Sequence, residues 1–84
     1  MREQLISAGL WDPSNPNNPA RSITAARQVM RRLAVRFRYQ GQDAKGHYEY
    51  VVYEPQTGST IATGRGETPA IAICRAALQA RRRN

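Results

Sequence analysis

The chain reads as a single small α+β domain in α-β-β-β-α order, and its periodicities carry that expectation. Apolar residues recur at helical spacing after Ser22 and again after Thr68, and between those helices they alternate at strand spacing. Turn chemistry punctuates each change of period. With 84 residues there is room for one hydrophobic core and no second one.

Residues 1–20 read as an N-terminal arm and linker, and 21–84 as the domain proper. Arg2 to Leu10 has the composition of a short helical turn with Leu5, Ile6 and Leu10 on one side. Pro13, Pro16 and Pro19 then force an extended or turning connector. Ser22 is placed to cap a helix running to about Ala34. Ile23, Ala26, Val29, Met30 and Leu33 share one face of it, and Arg27, Arg31 and Arg32 lie off that stripe.

Alternation follows. Val35, Phe37 and Tyr39 point one way and Arg36, Arg38 and Gln40 the other, which is a strand with one buried face. A polar hairpin loop is expected over 41–46, then a second strand over 47–54, dense in β-formers. Pro55 to Gly58 is a turn, residues 59–63 form a shorter strand, and Gly64-Arg65-Gly66 ends it. Thr68 caps the last helix and Pro69 occupies its first position, where a missing N–H costs nothing. That helix runs from Ala70 to about Arg82 with Ile71, Cys74 and Leu78 on one face, widened by Ile73, Ala76 and Ala77. Short connections make the three strands an antiparallel meander. Both helices on one sheet face is the expected packing, with the arm as partial cover for the other face. A three-layer sandwich is the alternative, since the second strand is apolar on both parities.

Charge is segregated. Thirteen basic residues, twelve of them arginine, face six acids for a net charge of +7. Six arginines lie from Arg21 to Arg38, with no acid between Asp12 and Asp43, and four more lie from Arg75 to Arg83. Blocks of one sign build a field that attracts a polyanion. Arg81, Arg82 and Arg83 also suit the last turn of a helix, where cations favour the dipole. Arg27, Arg31, Arg32, Arg36, Arg38 and Arg75 are left as the candidate binding footprint for nucleic acid or an acidic partner.

No reaction is implied. One His, one Cys and six scattered acids assemble no nucleophile–base pair, carboxylate pair or metal cluster, so the expectation is no enzyme, no metal and no cofactor. The single cysteine, Cys74, falls on an apolar helix face, which reads as core packing. Gly64 and Gly66 precede a helix, but Glu67 and the lack of a P-loop lysine make this a turn and no phosphate cradle. His47 and Tyr53 are candidate contact or stacking residues; the alternative is a solvated His and a core tyrosine. The longest apolar run falls short of the roughly 20 residues that span a bilayer, so a soluble, cytoplasmic protein without a membrane partner is expected.

Two resemblances bear on these readings. Gly64, Gly66, Thr68, Ala72, Ala76, Ala77 and Ala80 match packing and turn positions of the double-stranded RNA-binding domain, and His47 lies near that family's minor-groove loop histidine. The similarity implies the α-β-β-β-α fold with both helices on one face. The family's helix-start lysines correspond here to Pro69, Ala70 and Ile73, so the usual grip on duplex phosphates is missing. The stretch Thr68–Leu78, with Trp11-Asp12-Pro13-Ser14 ahead of the first main helix, is similar to small phage and prophage proteins, including the phage ABA-sandwich domains. That resemblance implies a phage-type origin, which in turn would place the protein in host cytoplasm, and assigns no functional residue. The function expected is a binding protein whose arginine-rich surface meets nucleic acid or a nucleoprotein. The alternative is a phage-encoded inhibitor of a host complex, of host-defence or anti-CRISPR-like kind, docking on an acidic protein surface. A homodimer through Leu5, Ile6, Leu10 and Trp11 is a further possibility for this chain.

Overall fold

The computed structural model describes residues 2–33 and 35–83, the side chain of Arg83 excepted. Its elements are α1 (Arg2–Ser7), α2 (Ile23–Arg32), β1 (Arg36–Gln42), β2 (Tyr48–Tyr53), β3 (Thr60–Gly66) and α3 (Pro69–Arg83). The three strands form one antiparallel sheet in the order β1-β2-β3. α3 packs across β3 and β2, and α2 lies beside α3 on the β1 side, so the helices share one sheet face. The α+β class and the one-sided packing are as expected.

Local chemistry explains the boundaries. The Ser22 hydroxyl accepts the Ala25 N–H at 3.3 Å and the Thr68 hydroxyl accepts that of Ile71 at 3.2 Å, so both expected caps are in place. The end of α2 anticipated near Ala34 lies outside the described residues; the last helical residue is Arg32, with the Leu33 N–H bonded to the Met30 carbonyl. The connector is a chain of Asx turns. Asp12 accepts the Ser14 N–H, Asn15 that of Asn17 and Asn18 that of Ala20, while the Trp11 indole N–H donates to the Asn15 carbonyl.

Two strand boundaries differ from the reading of the sequence. β1 continues through Gly41 and Gln42, because a bulge at Gln40 lets Gly41 pair with Glu49 and Gln42 with Tyr48. Gly41 takes a φ of +129°, which an L side chain resists. β3 also runs on, through Gly64 to Gly66, where a break was expected. The glycines there make room for α3. A Cβ on Gly64 would lie 2.8 Å from the Ala76 Cα and closer still to the Ala72 carbonyl, and one on Gly66 would meet Ile71 and the Ala72 N. The helix therefore sits directly on the strand backbone, with Ala72 and Ala76 as its seam.

The core lies between sheet and helices. Tyr50, Val52 and Ala62 from the sheet meet Ala26, Val29 and Met30 of α2 and Ala72, Ile73, Cys74, Ala76, Ala77 and Ala80 of α3. Leu5, Leu10 and Trp11 join the same cluster, so the arm covers the helices and leaves the other sheet face bare. Those side chains, considered above for self-association, are buried within their own chain. Ile23, read as core, is 39% exposed. On the uncovered face Val51 is still buried, flanked by its cross-strand neighbours Arg38 and Thr63. This answers the two-sided apolarity of β2 without a second helical layer.

Candidate functional site

The register sorts the β1 side chains. Phe37 and Tyr39 stand opposite Val52 and Tyr50 on the helix side of the sheet, and Arg36 and Arg38 stand opposite Tyr53 and Val51 on the open side. α2 touches β1 only lightly, so the helix side of β1 is not fully roofed. A groove of about 420 Å³ remains there, lined by Arg27 and Arg31 of α2 and by Phe37, Arg38, Tyr39 and Tyr50 of the sheet. Tyr39 is 52% exposed within an aromatic cluster, its ring centroid 5.4 Å from Tyr50 and 6.2 Å from Tyr48. Phe37 joins it with its centroid 6.0 Å from Tyr50. Burial raises the pKa of the Tyr50 hydroxyl, and the positive charge of Arg27 pulls against that rise. Cationic side chains beside the exposed Tyr39 ring suit phosphate contact combined with base stacking.

The open sheet face continues this surface around β1. The Arg38 guanidinium lies 5.8 Å over the Tyr53 ring, and Arg36 is exposed on the same strand face. Arg65 on β3 is tied to Glu49 at 2.6 Å, which cancels its charge locally. Among the described residues no carboxylate forms an ion pair with Arg27, Arg31, Arg36 or Arg38. Four of the six sequence-selected arginines thus gather about one edge strand.

The other two lie apart, so the arginines of the two main helices do not build one joint surface. Arg32 turns toward the connector, where it lines a recess with Leu10 and Trp11. The Ser14 backbone and hydroxyl hold the Asp12 carboxyl below its usual range, and Arg32 adds a smaller pull in the same direction. Arg75 lies on the opposite edge of the sheet, where it donates to the Arg65 carbonyl at 2.8 Å. The physical reason is the position of α3, which sits over β2 and β3 and directs its exposed flank outward from β3, away from α2.

His47 is half-buried at the β1–β2 turn, outside the groove. Its backbone N–H donates to the Asp43 carboxylate at 3.0 Å, and its imidazole Nδ1 lies 3.8 Å from the other carboxylate oxygen. Hydrogen bonds from the His47 and Lys45 backbone hold the Asp43 carboxyl below its usual range. The pair orders the hairpin. Of the four strand tyrosines that could stack on bases, Tyr39, Tyr48, Tyr50 and Tyr53, the sequence does not single out Tyr39 as the exposed one. Strand parity puts it on the core side, and the light contact of α2 with β1 leaves it exposed.

Cys74 is fully buried, and burial pushes its thiol pKa up to about 12, which makes it inert as a nucleophile at neutral pH. Among the described residues no three His, Cys, Asp or Glu side chains cluster as metal ligands, and no helix is long and apolar enough to cross a membrane. No family model, curated protein or solved structure matches this chain.

Proposed function

We propose that this protein is a non-enzymatic binding protein of phage type that holds a nucleic-acid strand along β1. Arg27, Arg31, Arg36 and Arg38 contact phosphates, and Tyr39 offers a stacking face. The observation that supports this reading is the groove itself, in which two α2 arginines share the lining with the exposed Tyr39 and no acid pairs with them among the described residues. Phosphate contacts supply affinity through counterion release, and stacking adds grip without sequence preference. The phage-type origin rests on the resemblance of the Trp11–Ser14 and Thr68–Leu78 stretches.

Fluorescence anisotropy with a labelled single-stranded oligonucleotide over a series of salt concentrations tests the reading. Affinity falls steeply with salt, and Arg27→Gln with Arg31→Gln reduces the slope of log K against log salt by about 0.7 per lost phosphate contact. Binding that ignores salt, or none at low salt, refutes it. The same uncovered surface is rich in Tyr and Arg, the residue types enriched at protein interfaces, which supports a second reading as an inhibitor of a host complex. A pull-down from nuclease-treated host lysate separates the two. A stoichiometric protein partner that survives nuclease, and is lost with the Arg27/Arg31 variant, supports the inhibitor.

A further inference from the structure

A concavity larger than the β1 groove lies on the opposite edge of the sheet, between β3 and the outer flank of α3, with a volume of about 940 Å³. Its cationic lining comes from Arg65, Arg75 and Arg82, and Gln4 and Gln79 add polar side chains. The cleft and the β1 groove share no lining residue. Glu49 also lines the cleft, but it is tied to Arg65 at 2.6 Å, so Arg75 and Arg82 remain as the uncompensated charges there.

Arg75 is held ready for an anion. One of its terminal nitrogens donates to the Arg65 carbonyl at 2.8 Å, which fixes the guanidinium beside the strand. A guanidinium has five N–H donors in a rigid fork, so most remain free for a phosphate oxygen. Its orientation is set before any ligand arrives, which lowers the entropy lost on binding. Arg82 stands two helical turns further along α3, on the same flank.

We infer that this cleft is a second phosphate-contacting site, so that one copy of the protein engages two nucleic-acid segments, one at each edge of its sheet. The inference rests on the nucleic-acid reading of the β1 groove and extends it from holding one strand to bridging two. The body measures 33 × 31 × 19 Å, so two segments on opposite edges are kept apart by the sheet and do not compete for the same side chains.

Bridging is read by energy transfer between two non-complementary single-stranded oligonucleotides, one carrying a donor dye and one an acceptor. Anisotropy on a single labelled strand and sedimentation of the protein accompany it. The parent brings the dyes together while sedimenting as a monomer. Arg75→Gln with Arg82→Gln abolishes the transfer and leaves affinity for one strand within about twofold, since the β1 contacts that dominate it are intact. The Arg75→Lys, Arg82→Lys pair keeps charge and retains part of the transfer, and circular dichroism of both variants matches the parent. Transfer that persists in the glutamine pair, or that follows a dimer in sedimentation, overturns the second site. Single-strand binding without transfer in the parent overturns the second site alone. No binding at all overturns this inference and the β1 reading together.

Discussion

Replacing Gly64 by alanine tests the central packing contact of the fold. The new methyl would stand 2.8 Å from the Ala76 Cα, and the Ala72 carbonyl and Ala76 N lie closer still. These are backbone atoms, so no rotamer change relieves the clash and α3 must lift off β3. Overpacking of this kind costs about 1–3 kcal/mol, and a backbone obstacle puts it near the upper end. Gly64 has no left-handed φ, so alanine also recovers about 0.4–1 kcal/mol by restricting the unfolded chain. The expected net loss is about 2 kcal/mol. A domain of this length has roughly 4–12 kcal/mol in total, so the loss is a large share. It lowers Tm by roughly 8–16 °C on the usual scaling for small domains. Gly66→Ala should cost less, because one backbone atom, the Ala72 N at 2.8 Å, stands in its way where Gly64 meets three, and its nearest obstacle is the Ile71 Cγ2 at 2.6 Å. Urea unfolding followed by circular dichroism measures both. A Gly64→Ala protein within about 0.5 kcal/mol of the parent, or an inverted order of the two variants, refutes the account of α3 seated on bare strand backbone.

Two further outcomes follow from the site and the core. Tyr39→Ala, at a residue 52% exposed, should leave stability within about 1 kcal/mol and weaken single-strand binding by about 1–3 kcal/mol, roughly 5- to 150-fold. Unchanged affinity would remove stacking from the proposal. The Cys74 thiol holds its proton more tightly folded than unfolded, so the folded state binds the extra proton above the ordinary thiol range. Stability contributed by this group is therefore complete below the ordinary thiol value of 9.0 and declines as pH rises toward about 12. Alkylation of Cys74 by iodoacetamide should be absent in the native protein at pH 8 and rapid in urea; native labelling at the urea rate would contradict its burial.

Much of the fold is legible in the sequence because it rests on local rules. Ser22 and Thr68 are capping residues next to apolar periodicity, and both accept the expected backbone N–H. Arg36 and Arg38 alternate with Phe37 and Tyr39, and the sheet keeps that division. What escaped the reading depends on partners far along the chain. Gly64 and Gly66 look like a strand break when taken locally, because the reason for them, the backbone of Ala72 and Ala76, is only supplied by tertiary packing. Ile23 matches the helical stripe of α2 yet is exposed at its first position, while Ala26, Val29 and Met30 of the same stripe are buried. For the candidate site, four of the arginines selected from the sequence surround β1. Arg75 falls away from them, and charge order along the chain does not say which way a helix flank faces. α3 faces the β3 edge.

The two rims of the sheet end differently. Along β3 the Arg65 carbonyl is taken by Arg75, and the Thr63 N–H is approached by Gln79 at 3.5 Å, so that rim is closed to another strand by the chain's own helix. β1 has a partner on one side only, and its arginines flank the free main chain. A second copy adding edge to edge there in antiparallel fashion about Phe37 would set Arg36 of one copy opposite Arg38 of the other, and like charges directly opposite are destabilising. The molecule thus guards its unfinished border with electrostatic repulsion toward itself, while an incoming chain of negative sign meets no such barrier.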